Sequence, residues 1–142
     1  RQTLALDSTT QAMSAVRLGS MRIPLTVPAG KRLVGFRTDV RGFAAKSGAS
    51  RIVLVVDLGG VTKTVEYGYG KPHNGAFTFS AASASPLQGK KGRKRTPVPI
   101  KGLRATGITN YVATILFSLQ RTDASAQATL AIDSLDVVPI LH

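Results

Sequence analysis

The chain has 142 residues, no cysteine and a formal net charge of +12. A chain of this length buries enough of its surface to fold as one domain without disulfides or a structural metal. The absence of cysteine also excludes thiolate metal sites, and no apolar run is long enough to span a membrane. These bounds predict a single domain over residues 1–142, with no membrane contact.

The first eighteen residues show little hydrophobic periodicity. Within them, DSTTQAMSAVRL (7–18) allows a helical turn capped by Asp7 or Ser8, and it is equally compatible with a loop. Residues 1–18 as a whole are also interpreted as an extended arm that orders on a neighbouring subunit. The next segment, SMRIPLTV (20–27), is predicted to be an extended edge strand, because Pro24 has no amide hydrogen to donate.

The segment KRLVGFRTDVR (31–41) alternates with a period of two, which predicts a strand. Its apolar face carries Val34, Phe36 and Val40. Gly35 interrupts the pattern and predicts a bulge. The opposite face carries charged side chains, namely Arg37, Asp39 and Arg41.

The clearest local signal is a hairpin in residues 51–69, RIVLVVDLGGVTKTVEYGY. Gly59 and Gly60 separate two β-branched runs, and a two-residue hairpin turn requires positive φ at both of its positions. The first strand is apolar on both faces, as expected of a central strand. Pairing across the turn predicts three pairs on one face: Leu58 with Val61, Leu54 with Val65, and Ile52 with Tyr67.

Three further strands are predicted: AFTFSAA (76–82), TNYVATILFSL (109–119) and TLAIDSLDVV (129–138). In the last of them the alternation shifts by one residue at Asp133 and Ser134, which requires a bulge or a kink. Short strands separated by glycine, proline and serine turns are typical of a β-sandwich or barrel. The sequence therefore predicts an all-β fold, an antiparallel β-sandwich.

Side chains for catalysis or metal binding are scarce. His73 lies in the turn sequence KPHNG and is interpreted as a solvent-exposed loop residue, since a metal site needs three or four converging donors. Asp133 and Asp136, together with Asp123, offer oxygen ligands for calcium. The favoured interpretation is that they end or bulge a strand and balance nearby arginines. Residues 68–75 lack the spacing of a nucleotide-binding loop. We therefore predict no enzyme activity, no metal and no cofactor.

The strongest functional signal is GKKGRKRTPVPIKG (89–102), within a long basic loop predicted over residues 83–104. No carboxylate occurs between residues 67 and 121, so the positive charges of this segment repel one another without a counter-charge. The segment has no aromatic residue or Asn/Gln pair to read bases, which predicts sequence-independent nucleic-acid binding. The alternative is a solvated surface loop. The predicted polyanion- or partner-binding residues are Lys90, Lys91, Arg93, Lys94, Arg95, Lys101 and Arg104.

The end of the chain resembles a known type of domain. Residues 111–138, YVATILFSLQRTDASAQATLAIDSLDVV, resemble the penultimate strand, loop and last strand of jelly-roll carbohydrate-binding domains. This resemblance implies a sandwich of jelly-roll type and, as an alternative function, a carbohydrate- or polyanion-binding module. Sugar sites commonly use flat aromatic platforms. This chain has no tryptophan and three tyrosines, which are Tyr67, Tyr69 and Tyr111. At least two of these tyrosines are predicted to alternate inward, where they cannot form such a platform.

A jelly-roll sandwich of this size with no catalytic set and a basic segment also resembles viral coat proteins and the decoration, or cement, proteins of tailed phages. This resemblance implies a structural protein of the virion that forms a homo-oligomer or binds a major shell protein. Coat proteins carry their basic arm at a terminus, whereas here it lies in mid-chain. This difference favours clamping of an acidic shell surface, with sequence-independent nucleic-acid binding as an additional contact.

A free nucleic-acid-binding barrel is the third interpretation. Such barrels stack bases on exposed aromatic rings, whereas four phenylalanines of this chain are predicted to lie in the core: Phe36, Phe77, Phe79 and Phe117. We therefore expect a non-enzymatic jelly-roll protein of a virus or phage particle.

Overall fold

The computed structural model describes residues 2–84, 87–88, 96–97 and 107–142, which form ten β-strands. In these ranges there is no helix, and hence none that spans a lipid bilayer. The strands are β1 (Gln2–Leu6), β2 (Ser14–Val27), β3 (Leu33–Lys46), β4 (Ser50–Leu58), β5 (Val61–Tyr67), β6 (His73–Ala84), β7 (Leu87–Gln88), β8 (Thr96–Pro97), β9 (Gly107–Arg121) and β10 (Ala128–Leu141).

Eight of these strands form two antiparallel four-stranded sheets, in the orders β1-β10-β3-β6 and β2-β9-β4-β5. The strand pairs are nested: β1 with β10, β2 with β9, β3 with β6, and β4 with β5. This is the pattern of one long hairpin rolled into two layers, and pairing of β10 with β3 and of β9 with β4 completes each sheet. The arrangement is a jelly roll. The predicted fold class is therefore confirmed.

The local predictions of register are also confirmed. Gly59 and Gly60 have φ angles of 64° and 96°, and all three predicted cross-strand pairs of the β4–β5 hairpin are present. β4 is a central strand, whereas Pro24 lies on the edge strand β2. The register of β10 shifts between Ile132 and Ser134, as the change of alternation requires.

A second shift lies beside Gly35 on β3. Ile140 pairs with Gly35, but the next residue of β10 pairs with Leu33, so β3 has one extra residue at this point. The bulge predicted from the glycine is therefore confirmed.

The structure differs from the expectation at the beginning of the chain. Gln2–Leu6 form an edge strand beside β10 of the same chain, where the sequence suggested an arm. The helical-turn interpretation of 7–18 is wrong, because β2 already begins at Ser14. The Asp7 carboxylate accepts hydrogen bonds from Thr9 and Thr10, so it closes a tight turn at residues 8–9.

The hydrophobic core lies between the two sheets, and one buried polar contact joins them. The hydroxyl groups of Thr38 on β3 and Tyr111 on β9 are 2.8 Å apart, and each residue is 1% exposed. The Phe36 ring packs edge-on against Tyr111 with a centroid distance of 5.0 Å. This bond satisfies two hydroxyl groups that would otherwise be buried unpaired.

The connections between strands gather at two ends of the sandwich. At one end, the Gly70 amide donates to the Gly48 carbonyl, which joins the β5–β6 turn to the β3–β4 turn. The Arg121 guanidinium, 3% exposed, donates to three carbonyl oxygens of the β1–β2 connection, those of Asp7, Thr10 and Ala12. It also donates to the Ala126 carbonyl of the β9–β10 connection and so joins the two connections at this end. The opposite end carries the 28–32 turn, the β4–β5 hairpin turn, the end of β6 and the beginning of β9.

Candidate functional site

The outer side of the β2-β9-β4-β5 sheet carries an exposed apolar patch. Val16 and Leu18 on β2 are 66% and 70% exposed. Leu18 pairs with Leu116, which in turn pairs with Val55, so an apolar row crosses three strands. Single exposed apolar residues are ordinary, whereas contiguous ones mark contact surfaces. We call this patch the outer apolar face, formed by Val16, Leu18, Val53, Val55 and Leu116.

The charged residues on the same side of this sheet cancel one another. The two positive charges of Arg22 and Arg51 equal in number the two negative charges of Asp57 and Glu66. All four residues occupy outward-facing positions on their strands. The Arg51 guanidinium donates to Glu66 Oε1 at 2.7 Å. The described residues on this side of the sheet therefore carry no net formal charge, although the chain carries +12.

The outer side of the other sheet is polar by comparison. Arg37 and Arg41 on β3 are exposed, and Ser80 donates a hydrogen bond to Asp39 between them. This bond and the nearby Arg37 hold the pKa of Asp39 below its usual value. Val138 is 53% exposed there but lies opposite Arg37. The outer side of the β1-β10-β3-β6 sheet is therefore charged and polar, whereas the outer side of the β2-β9-β4-β5 sheet carries the outer apolar face.

The seven predicted polyanion-binding residues lie outside the described residues: Lys90, Lys91, Arg93, Lys94, Arg95, Lys101 and Arg104. The assignment of a basic loop to 83–104 and of a single domain to 1–142 stays a prediction. β6 ends at Ala84 and β9 begins at Gly107, at the end of the sandwich that also carries the exposed Lys31 and Arg32.

Two adjoining hollows lie beside the β5–β6 turn, at the opposite end. The tyrosine hollow, with a volume of about 460 Å³, is lined by Lys46 and residues 67–73. The amide hollow, of about 520 Å³, is lined by residues 45–47, residues 72–74 and Gln127. Both are open to solvent, and the hollows share Lys46, Pro72 and His73. Neither is lined by a carboxylate from the described part of the chain.

Lys46 is a buried cation between these hollows, only 7% exposed. It is the last residue of β3, in phase with the inward-facing Ala44. Its Nζ donates to the Ser47 carbonyl at 3.0 Å and to the Lys71 carbonyl. Burial lowers the pKa of Lys46, because it disfavours the charged form. An ammonium group has three hydrogens to donate, and the described residues accept two of them.

Aromatic rings line the tyrosine hollow. Tyr67 and His73 stack with a centroid distance of 4.0 Å and an interplanar angle of 23°. The interpretation of His73 as a solvent-exposed loop residue is wrong: it begins β6, is half-buried, and its Nε2 has no hydrogen-bond partner among the described residues. Tyr69 is 48% exposed, whereas Tyr111 is buried and Tyr67 packs against the core, as predicted.

The sequence signal for this site was present but weak. Tyr67 and Tyr69 alternate on the approach to a turn, and Lys46 falls on the inward phase of its strand. A lysine at a strand end is normally read as exposed, because burying an ammonium is unfavourable without partners. The two carbonyl partners of Lys46 become visible only once the β3–β4 and β5–β6 turns are placed together.

The carboxylates considered for calcium are not brought together. Asp123 Oδ1 accepts hydrogen bonds from the Ser125 amide and hydroxyl, both at 2.8 Å, which lowers the pKa of Asp123. Asp133 occupies the β10 bulge, and Asp136 lies opposite Asp39 on the outer side of the sheet. Across the described ranges, no three histidine or carboxylate side chains lie close enough to hold a metal ion.

Comparison with known proteins yields similarity at the level of fold. No protein-family model matches the chain, and no curated protein matches its sequence. Among solved structures, TmCBM61, a carbohydrate-binding module in complex with β-1,4-galactotriose, is 15% identical over 97% of this chain and 69% of its own, with a TM-score of 0.40.

Capsid structures of infectious bursal disease virus are also similar. The Gx strain structure is 9% identical over 89% of this chain, with a TM-score of 0.27. The VP2 subviral particle is 9% identical over 89% of this chain, with a TM-score of 0.24. The chain spans 43% and 42% of the lengths of these two proteins. All three similarities concern the jelly-roll fold alone.

Proposed function

We propose that this protein is a non-enzymatic structural subunit of a virus or phage particle, which assembles with further copies of itself through the outer apolar face. The observation that carries the proposal is the outward-facing row across three strands of a jelly-roll sheet, formed by Leu18, which is 70% exposed, and the half-buried Leu116 and Val55. Such a row is unfavourable in water and is expected to be covered by a partner surface.

The chemistry of the face favours a second copy of the chain as its partner. Two chains of charge +12 repel each other, and the repulsion is smallest where both contact surfaces are neutral. The outer side of the β2-β9-β4-β5 sheet meets this condition, because Arg22 and Arg51 are matched by Asp57 and Glu66. A neutral apolar surface is also complementary to itself, as a two-fold symmetric contact requires.

The basic segment supplies the second contact in this proposal. Lys90, Lys91, Arg93, Lys94, Arg95, Lys101 and Arg104 clamp an acidic surface of a neighbouring shell protein, with sequence-independent nucleic-acid binding as the alternative contact. Its flanking strands, β6 and β9, end at the opposite end of the sandwich from the hollows.

Sedimentation velocity over a range of concentrations tests the self-association. We expect discrete oligomers that strengthen at higher salt, because screening weakens the repulsion between basic chains. Leu18→Glu is expected to raise the dissociation constant about 100-fold, since roughly 1.5 kcal/mol is lost on each of two copies. Leu18→Gln tests the same contact without adding a charge.

The matched control is Val138→Glu, which changes an exposed valine on the outer side of the other sheet. It is expected to leave the oligomer intact. The proposal would be contradicted if the wild-type protein stayed monomeric at a concentration on the order of 100 μM. It would also be contradicted if Leu18→Glu and Val138→Glu weakened association equally.

A variant with Gln at Lys90, Lys91, Arg93, Lys94 and Arg95 tests the basic segment separately. We expect this variant to fold and to lose attachment to an acidic shell protein or to nucleic acid. For the wild type, contact with six phosphates predicts a log–log salt slope of roughly −5. Unchanged binding by the variant would instead support the interpretation of this segment as a solvated surface loop.

A further inference from the structure

We propose that the tyrosine hollow binds an acidic saccharide, with a pyranose ring against Tyr69 and the sugar carboxylate facing Lys71 and the buried Lys46. This inference is independent of the assembly proposed above, since the hollow and the outer apolar face share no residue. It assigns a ligand class to a surface at the opposite end of the sandwich from the basic segment's flanking strands.

The first argument is a cationic site that no carboxylate of the described residues lines. Lys46 is 7% exposed, and its hydrogen-bond partners in the described residues are two neutral carbonyl groups. Lys71 adds a second ammonium at the rim of the same hollow, where it is exposed. A buried ammonium is stabilised by a nearby anion, and its third hydrogen is available to an incoming carboxylate.

The second argument is the aromatic lining. Tyr69 is 48% exposed, and beside it Tyr67 stacks on His73 with a centroid distance of 4.0 Å. Tyrosine presents an apolar ring face together with a polar hydroxyl, which suits a ligand with one apolar side and many hydroxyl groups.

The third argument is size and surroundings. A volume of about 460 Å³ lies in the range of small-molecule sites, which extends from about 300 to 1,000 Å³. The adjoining amide hollow offers Asn74 and Gln127, whose amide groups donate and accept hydrogen bonds. A saccharide chain can therefore continue from one hollow to the next across Pro72.

The test is titration of the full chain with a glucuronic acid trisaccharide, the matching neutral glucose trisaccharide, and sodium acetate or phosphate. Amide chemical shifts locate the contact, and calorimetry gives the affinity. We expect the acidic trisaccharide to bind at least tenfold more tightly than the neutral one, with shifts centred on residues 67–73. Tyr69→Ala is expected to abolish binding, whereas Tyr69→Phe retains the ring and most of the affinity.

The charge contribution is separated with a matched pair of lysine variants. Lys71→Gln is expected to weaken binding of the acidic trisaccharide at least fivefold, and Lys31→Gln, at an exposed lysine of the opposite end, to leave it unchanged. Equal binding of both trisaccharides, or equal effects of the two lysine variants, would overturn the proposal. So would acetate or phosphate binding as tightly as the acidic trisaccharide. Leu18→Glu is expected to retain saccharide binding, so failure of assembly and failure of this site are distinguishable.

Discussion

The buried hydroxyl pair that joins the two sheets gives the sharpest stability prediction. Thr38 and Tyr111 are each 1% exposed, and their hydroxyl groups lie 2.8 Å apart. Tyr111→Phe leaves the Thr38 hydroxyl buried without a partner, and Thr38→Val does the same to the Tyr111 hydroxyl. Each single change is expected to destabilise the fold by about 1–3 kcal/mol, the penalty for an unsatisfied buried polar group.

The double variant Thr38→Val with Tyr111→Phe is expected to be close to the wild type in stability, because two apolar groups of similar shape then face each other. A double-mutant cycle should therefore give a coupling free energy close to the sum of the two single losses, about 2–6 kcal/mol in magnitude. With a urea m-value of about 2 kcal/mol per molar, a single loss of about 2 kcal/mol moves the unfolding midpoint by about 1 M. Tyr111→Phe preserves the edge-on ring contact with Phe36, so loss of packing does not contribute.

Urea unfolding followed by circular dichroism and tyrosine fluorescence measures all four proteins. If the two single losses simply add in the double variant, the reasoning is refuted, since the hydroxyl groups would then act independently. Binding of the acidic trisaccharide should be unaffected throughout, because neither residue lines a hollow.

Three further predictions concern the turns. Arg121→Met is expected to destabilise the fold by about 3 kcal/mol or more and to speed amide exchange at residues 7–13, since four carbonyl oxygens lose a buried charged donor; normal protection there would contradict this role. Gly59→Ala is expected to be more destabilising than Gly60→Ala, because both have positive φ but only a Cβ at Gly59 meets the Tyr111 ring, at 2.8 Å; equal losses in thermal unfolding would refute the steric account. Hydrogen bonds from Thr9 and Thr10 hold the pKa of Asp7 below its usual value, so its stabilising contribution is present at neutral pH and is lost as the pH falls below about 4. Asp7→Asn should therefore flatten the acid limb of the stability curve, and an unchanged limb would show that this carboxylate does not contribute.

The sequence was informative wherever structure is decided by neighbours in the chain. The Gly59 and Gly60 turn fixed the β4–β5 register, and the change of phase at Asp133 located the β10 bulge. Both signals are local, because a two-residue turn and a period of two each determine their own pairing. The pairing of β1 with β10 has no such signal, since it depends on contacts across most of the chain.

The beginning of β2 was missed for a reason that bears on function. On this strand Val16 and Leu18 face outward and the intervening Arg17 takes the inward phase, so the usual pattern is inverted. A sequence that breaks the pattern of its own fold commonly does so at a functional surface. The hollows were missed for a different reason: Lys46 and His73 lie 27 positions apart in sequence and meet only in the folded sheet, where they form a cross-strand pair.

The nested order of the strands has a consequence for how the chain acquires its structure. Leu4 pairs with Leu130, so the first sheet is completed by a contact between remote parts of the chain. Folds dominated by such pairings form in milliseconds to seconds, whereas an isolated hairpin forms in about 1–10 μs. The β4–β5 hairpin is therefore expected to form before the rest of the two sheets, and β5 then presents an unpaired edge. Lys63 is exposed on the core-facing side of β5. Its charge disfavours pairing of a strand from another chain with the β5 edge, and this reduces aggregation of the partly folded chain.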